Sequence, residues 1–130
     1  MKDLPKAYVL LVNESGADDS VISNLKMIDS VKEAYGAFGA YDIITKLKDE
    51  TSKKIEHDIS KKIRTIPKVR SSLTLQVYEK ESFCKINEIE NEILVQHMAK
   101  AFSIIHCKTS NETPIMQELK KFQKLSRRML

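Results

Sequence analysis

Residues 31–48 read VKEAYGAFGAYDIITKLK, and this stretch decides the fold. Val31, Glu33, Tyr35 and Ala37 alternate with Lys32, Ala34, Gly36 and Phe38, and Tyr41 through Leu47 is a second run rich in β-branched and aromatic residues. Both patterns predict strands. Gly36 and Gly39 sit where the chain must turn, and glycine takes positive φ or lets another group approach the backbone without steric cost. A β-hairpin is the consequence.

On the N-terminal side, Ala7 to Val12 (AYVLLV) is continuously apolar, the pattern of a central strand with both faces covered. The stretch Glu14 to Asp19 supplies a turn and acidic groups that favour a helix start, and Val21, Ile22, Leu25 and Ile28 then recur at helical spacing until about Asp29-Ser30. On the C-terminal side, Asp49 to Ser52 offers capping side chains. Ile55, Ile59, Ile63 and Ile66 form a narrow helical stripe, and Pro67 stops it. Leu73, Leu75 and Val77 alternate with Thr74, Gln76 and Tyr78 as a half-buried fourth strand.

The sum is βαββαβ, an α+β ferredoxin-like sandwich over residues 1–79 with helices on one face of an antiparallel sheet. In the usual strand order the first and third strands are central, and the second and fourth lie at the edges. One sheet face is left without helices, and Tyr8, Leu10 and Val12 or their alternates must point there. An apolar face left wet is unfavourable, so the sheet is expected to mediate dimerisation.

Residues 80–130 form a C-terminal extension in this reading. Ile86, Ile89, Ile93, Leu94, Met98, Ala101, Phe102 and Ile105 share one broad face of a helix expected from about Phe83 to His106. A polar linker follows, and Thr113-Pro114 opens a last helix with its apolar stripe at Ile115, Leu119, Phe122 and Leu125. The result is a two-helix extension, packed on its own domain or on a partner subunit.

The strand AYVLLVN, the segment DSVKEAYGAFGAYDIITKL, the helix ending KKIRTIPKVR and the strand SSLTLQVYE, taken in order from about Ala7 to Glu79, resemble the C-terminal effector-binding (RAM) module of Lrp/AsnC-type transcription regulators. The resemblance implies a homodimer or higher homo-oligomer formed through the sheet. It also implies small effectors, commonly amino acids, bound at subunit contacts near the hairpin and the start of the last strand. The matching positions are Gly36, Gly39, Tyr41 and Asp42, with Ser71, Ser72 and Thr74 as hydroxyl partners. Amides at the glycines suit a carboxylate, and Asp42 suits an ammonium. Turn formation, packing, capping and edge-strand satisfaction account for the same residues without a ligand. Phe38 and Ala40 are apolar where many relatives carry polar groups, which favours a bulkier or more apolar ligand, or none.

In the family a helix-turn-helix precedes this module, whereas here the first predicted strand begins a few residues after Met1. The expectation is a stand-alone sensing and oligomerisation module that modulates transcription through partners, such as a helix-turn-helix paralogue.

Composition bounds the alternatives. Of 130 residues 42% are apolar and 31% charged, a globular mixture, with no signal-peptide core and no apolar run near the ~20 residues of a membrane span. Two cysteines without Cys-x-x-Cys spacing fit reduced thiols, so a cytoplasmic protein is expected. The net charge of +4 sits in the tail: residues 1–79 carry 13 basic and 12 acidic groups, residues 80–113 carry 4 and 5, and residues 114–130 carry 5 and 1. Lys120, Lys121, Lys124, Arg127 and Arg128 are therefore the only candidate phosphate-binding cluster. Lysines at the C-terminal end of a helix equally serve its dipole, and direct DNA binding is not expected. Without a phosphate loop, a His-Glu-x-x-His or a nucleophile elbow, no enzyme and no cofactor are expected; His57 and Asp58 read as exposed groups on a charged helix. His97, Met98, His106 and Cys107 are ligand types for copper or zinc, but on one helix His97 and His106 point to opposite faces. A metal-responsive regulator and a DNA-binding regulator using the basic helix are the alternatives.

Overall fold

The computed structural model describes residues 4–77, 82–83, 101–108 and 111–129, and the chain divides between Val77 and Tyr78 into two units. In the first unit the elements run β1 (Lys6–Asn13), α1 (Asp18–Lys26), β2 (Val31–Gly36), β3 (Ile43–Lys48), α2 (Ser52–Asp58) continued by a π-turn (Ile59–Ile63), and β4 (Val69–Gln76). The sheet is antiparallel in the order β2-β3-β1-β4, with β1 and β3 central as the apolar runs predict. This is the ferredoxin-like α+β arrangement.

Each helix forms for a local reason. Asp18 and Asp19 occupy the first turn of α1, where the helix dipole favours negative charge. Thr51 caps α2, its hydroxyl accepting the Lys54 N–H at 3.2 Å. Both helices bury their stripes on one sheet face: Val21 and Leu25 from α1 and Ile55, Ile59, Ile63 and Ile66 from the second helical segment meet Ala7, Val9, Leu11, Ile43 and Leu47. The isoleucine stripe thus holds as read. The π-turn within it, marked by the Arg64 N–H donating to the Ile59 carbonyl at 3.0 Å, has no local sequence signal.

Tyr8, Leu10 and Val12 lie on the other sheet face, in register with Leu75, Leu73 and Ser71 of β4. Leu10 is only 2% exposed yet stands outside the main cluster, while Leu73 is 40% exposed. Leu73 and Leu75 of β4 therefore face away from the helices, while Ser72, Thr74 and Gln76 face towards them and Val69, beyond the register shift at Val12/Asn13, packs against the core.

Asp58, read as exposed, is fully buried, because the helix turns it inward between Ile55 and Ile59. Its carboxylate lies 3.5 Å from Lys62 Nζ. Lys68, which follows Pro67, has φ of 73°, a left-handed conformation that costs an L-residue roughly 1–2 kcal/mol. Its carbonyl accepts the Glu14 N–H at 2.8 Å, which holds the turn against β1. Lys68→Gly is expected to raise the unfolding free energy by about 1 kcal/mol in urea titration, and Lys68→Val to lower it.

In the second unit, α3 spans Glu112–Met129, with Pro114 in the first turn where its missing N–H costs nothing. Lys121 pairs with Glu118 at 3.1 Å, and the Lys120 ammonium lies 5.3 Å from the Phe83 ring centroid. The helix expected from Phe83 to His106 does not reach its predicted end: residues 101–108 are neither helix nor strand. Ser103, Ile104, Ile105, His106 and Cys107 all lose free energy in a helix relative to alanine. The rest of that helix, residues 84–100, lies outside the described residues.

Candidate functional site

The β2–β3 connection runs from Ala37 to Asp42 and is closed by backbone and side chain together. The Ala37 N–H donates to the Asp42 carbonyl at 2.9 Å, and the Asp42 N–H donates to the Leu11 carbonyl at 2.8 Å. Asp42 Oδ2 accepts the Asn13 N–H at 2.9 Å. Asn13 Nδ2 in turn donates to the Glu14 carbonyl and to Asp18 Oδ1, at 2.9 and 2.8 Å. Asp42 therefore ties the hairpin to the end of β1 and, through Asn13, to the start of α1. The β3 strand begins at Ile43, because Tyr41 and Asp42 belong to this closure.

The two glycines are not equivalent. Gly39 has φ of 138°, which an L side chain rarely adopts, so glycine is required there. Gly36 has no such φ, and a Cβ there would meet nothing within 4 Å, so neither part of the turn argument applies to it. Phe38 projects from the connection fully exposed, and Tyr41 is half-buried.

The predicted hydroxyls are only partly gathered at this end. Ser72 pairs with Leu11, which on its other side pairs with Ile43, so Ser71 and Ser72 lie two strand spacings, about 10 Å, from the start of β3. Ser71 is on the sheet face away from the helices and Ser72 on the covered face. Thr74, two residues further along, pairs with Val9 and turns its hydroxyl into the helical side, away from the hairpin.

The metal alternative gains no geometry. His106 is exposed and Cys107 half-buried, His97 lies outside the described residues, and no group of three or more candidate ligands occurs among the described residues. Of the basic tail, Lys120 and Lys121 already face Phe83 and Glu118.

Sequence reasoning missed Asn13, the partner that fixes Asp42, because a strand-end asparagine carries no periodic signal.

The element order and the sheet order define a ferredoxin-like module. Comparison with solved structures is specific. FFRP-DM1 is 32% identical, with 58% of this chain covering all of that one at a TM-score of 0.55. Hypothetical protein PHS023 from Pyrococcus horikoshii is 32% identical, covering 58% of this chain and 90% of that one at 0.55. AsnC of E. coli is 28% identical, covering 63% and 56% at 0.56. No protein-family model matches the chain, and no curated protein matches it by sequence. The chain belongs to the Lrp/AsnC family. That is a family of transcription regulators, not of enzymes. Among the described residues no helix is long and apolar enough to cross a membrane.

Proposed function

We propose that residues 1–79 are a cytoplasmic sensing and oligomerisation module that binds a small amino-acid-like effector at the hairpin and acts on transcription through helix-turn-helix-bearing partners, with residues 80–130 as an extension. The observation that carries this reading is the 32% match over the full length of FFRP-DM1. Two features support it further. Asp42 commits one carboxylate oxygen to Asn13, and Oδ1 has no partner among the described residues, a fit for an ammonium. The apolar alternates of β4 share a sheet face with Tyr8, Leu10 and Val12, as a sheet-mediated homo-oligomer requires. Gly39, Tyr41 and Asp42 with Ser71 and Ser72 are the residues proposed to meet the effector; Gly36 and Thr74 contribute less, given their placement.

A thermal-shift screen against the amino acids and divalent metals, with mass followed by light scattering, tests the proposal. An effector well above its Kd is expected to raise the melting temperature by roughly 5 °C or more, and Asp42→Ala to abolish the rise. Each variant is compared with and without ligand, so that loss of the Asn13 contact cancels. No response to any amino acid at a constant mass would remove the sensor and favour a purely structural assembly role. A response confined to copper or zinc would move the site to His106 and Cys107.

A further inference from the structure

A groove of about 510 Å³ runs between the second helical segment and β4, lined by Glu56, Ile59, Ser60, Arg64, Thr74 and Gln76. Two periodicities build it. Glu56, Ser60 and Arg64 recur every four residues and so make one ridge of the helix. Thr74 and Gln76 are alternate residues of β4, in register with the buried Val9 and Ala7, and so face that ridge. Apart from Thr45, the central strands β1 and β3 present apolar side chains to this face, whereas β4 places a hydroxyl and an amide on it here.

The polar groups of the groove are poorly matched to one another. No ion pair joins Glu56 to Arg64, and the Arg64 guanidinium has no acidic partner among the described residues. Glu56 Oε1 receives only a long contact from Gln76 Nε2, at 3.5 Å. The Thr74 hydroxyl is buried without a hydrogen-bond partner, as are the hydroxyls of Ser30 and Thr45 elsewhere in the domain. The π-turn lies along the same wall, with Arg64 immediately after it, and such turns concentrate at functional sites.

We propose that this groove binds a short zwitterionic peptide, with its carboxylate on Arg64, its ammonium on Glu56 and its backbone against Thr74 and Gln76. Eight residues of helix, five of them in the π-turn, place the Cα atoms of Glu56 and Arg64 roughly 10–12 Å apart along the axis. That spacing suits charges at the two ends of a peptide better than the adjacent charges of one α-amino acid. The site goes beyond the effector reading, because it lies on the β4 edge and uses none of the hairpin residues.

Titration of the ¹⁵N-labelled full chain with L-alanyl-L-leucine, followed by NMR, tests it. The amides of Ser60, Arg64, Thr74 and Gln76 are expected to shift at millimolar peptide. N-acetylation or C-terminal amidation of the peptide, Glu56→Gln or Arg64→Gln should each weaken binding about tenfold or more, the loss of one charge-assisted contact. Absence of shifts at those amides, or equal binding of the blocked peptides, would overturn the proposal. Shifts confined to residues 36–42 would overturn it too, while reporting separately on the hairpin site.

Discussion

Truncation of Leu11 to alanine is expected to cost about 3–5 kcal/mol of unfolding free energy and to lower the melting temperature by roughly 15 °C or more. Leu11 is fully buried in the centre of β1, among Val9, Leu25, Ile43 and Ile63. Close-packed surroundings refill only part of such a void, so the lost transfer free energy and the cavity add. A domain of this size has only about 5–15 kcal/mol in total, so the change consumes a large share of it. The midpoint of urea unfolding should fall with little change in slope and independently of protein concentration. Leu73→Ala is the comparison, since Leu73 is 40% exposed and on the opposite face. Its cost should be small in dilute protein and grow with concentration where the sheet face is an interface. Equal, concentration-independent losses for both variants would contradict the assignment of Leu73 to an interface.

Removal of the Lys62 ammonium is the second large effect expected. Asp58 is fully buried, and neither carboxylate oxygen has a hydrogen-bond partner, which leaves the 3.5 Å contact with Lys62 as its compensation. Lys62→Met should cost about 1–3 kcal/mol, the penalty of a buried group left unpaired, at the lower end because Lys62 is half exposed. Asp58→Leu should be neutral or stabilising, because it removes the desolvated charge altogether. In the Asp58→Leu background Lys62→Met should become nearly silent. A double-mutant cycle measures this directly, and additive losses would show that the pair does not interact.

The hairpin at 36–42, the isoleucine stripe of the second helical segment and the centrality of β1 and β3 were all legible in residue order. Periodicity of two or four is a local property of the chain, and a strand apolar on both faces has few places to go except the middle of a sheet. The fold of residues 4–77 therefore followed from the sequence, while the candidate residues near the turn rest on the family resemblance. Their grouping in space was not legible in residue order. The family resemblance groups Thr74 with Ser71 and Ser72 near the hairpin, yet alternation along β4 and its register against β1 carry it to the groove wall beside Arg64.

What the sequence by itself determined about this protein is, over residues 4–77, the set of elements, their order and the apolar stripe each must bury. Only the tertiary structure decided which side of β4 meets the helices, that Asp58 turns inward while Glu56 and Arg64 stay at a groove, and that Asn13 holds Asp42. The reason is physical. An alternating strand is equally amphipathic whichever face is buried, and a polar side chain is inside or outside according to neighbours far away in the chain, so only the pairing of strands and the packing of the helix resolve either question.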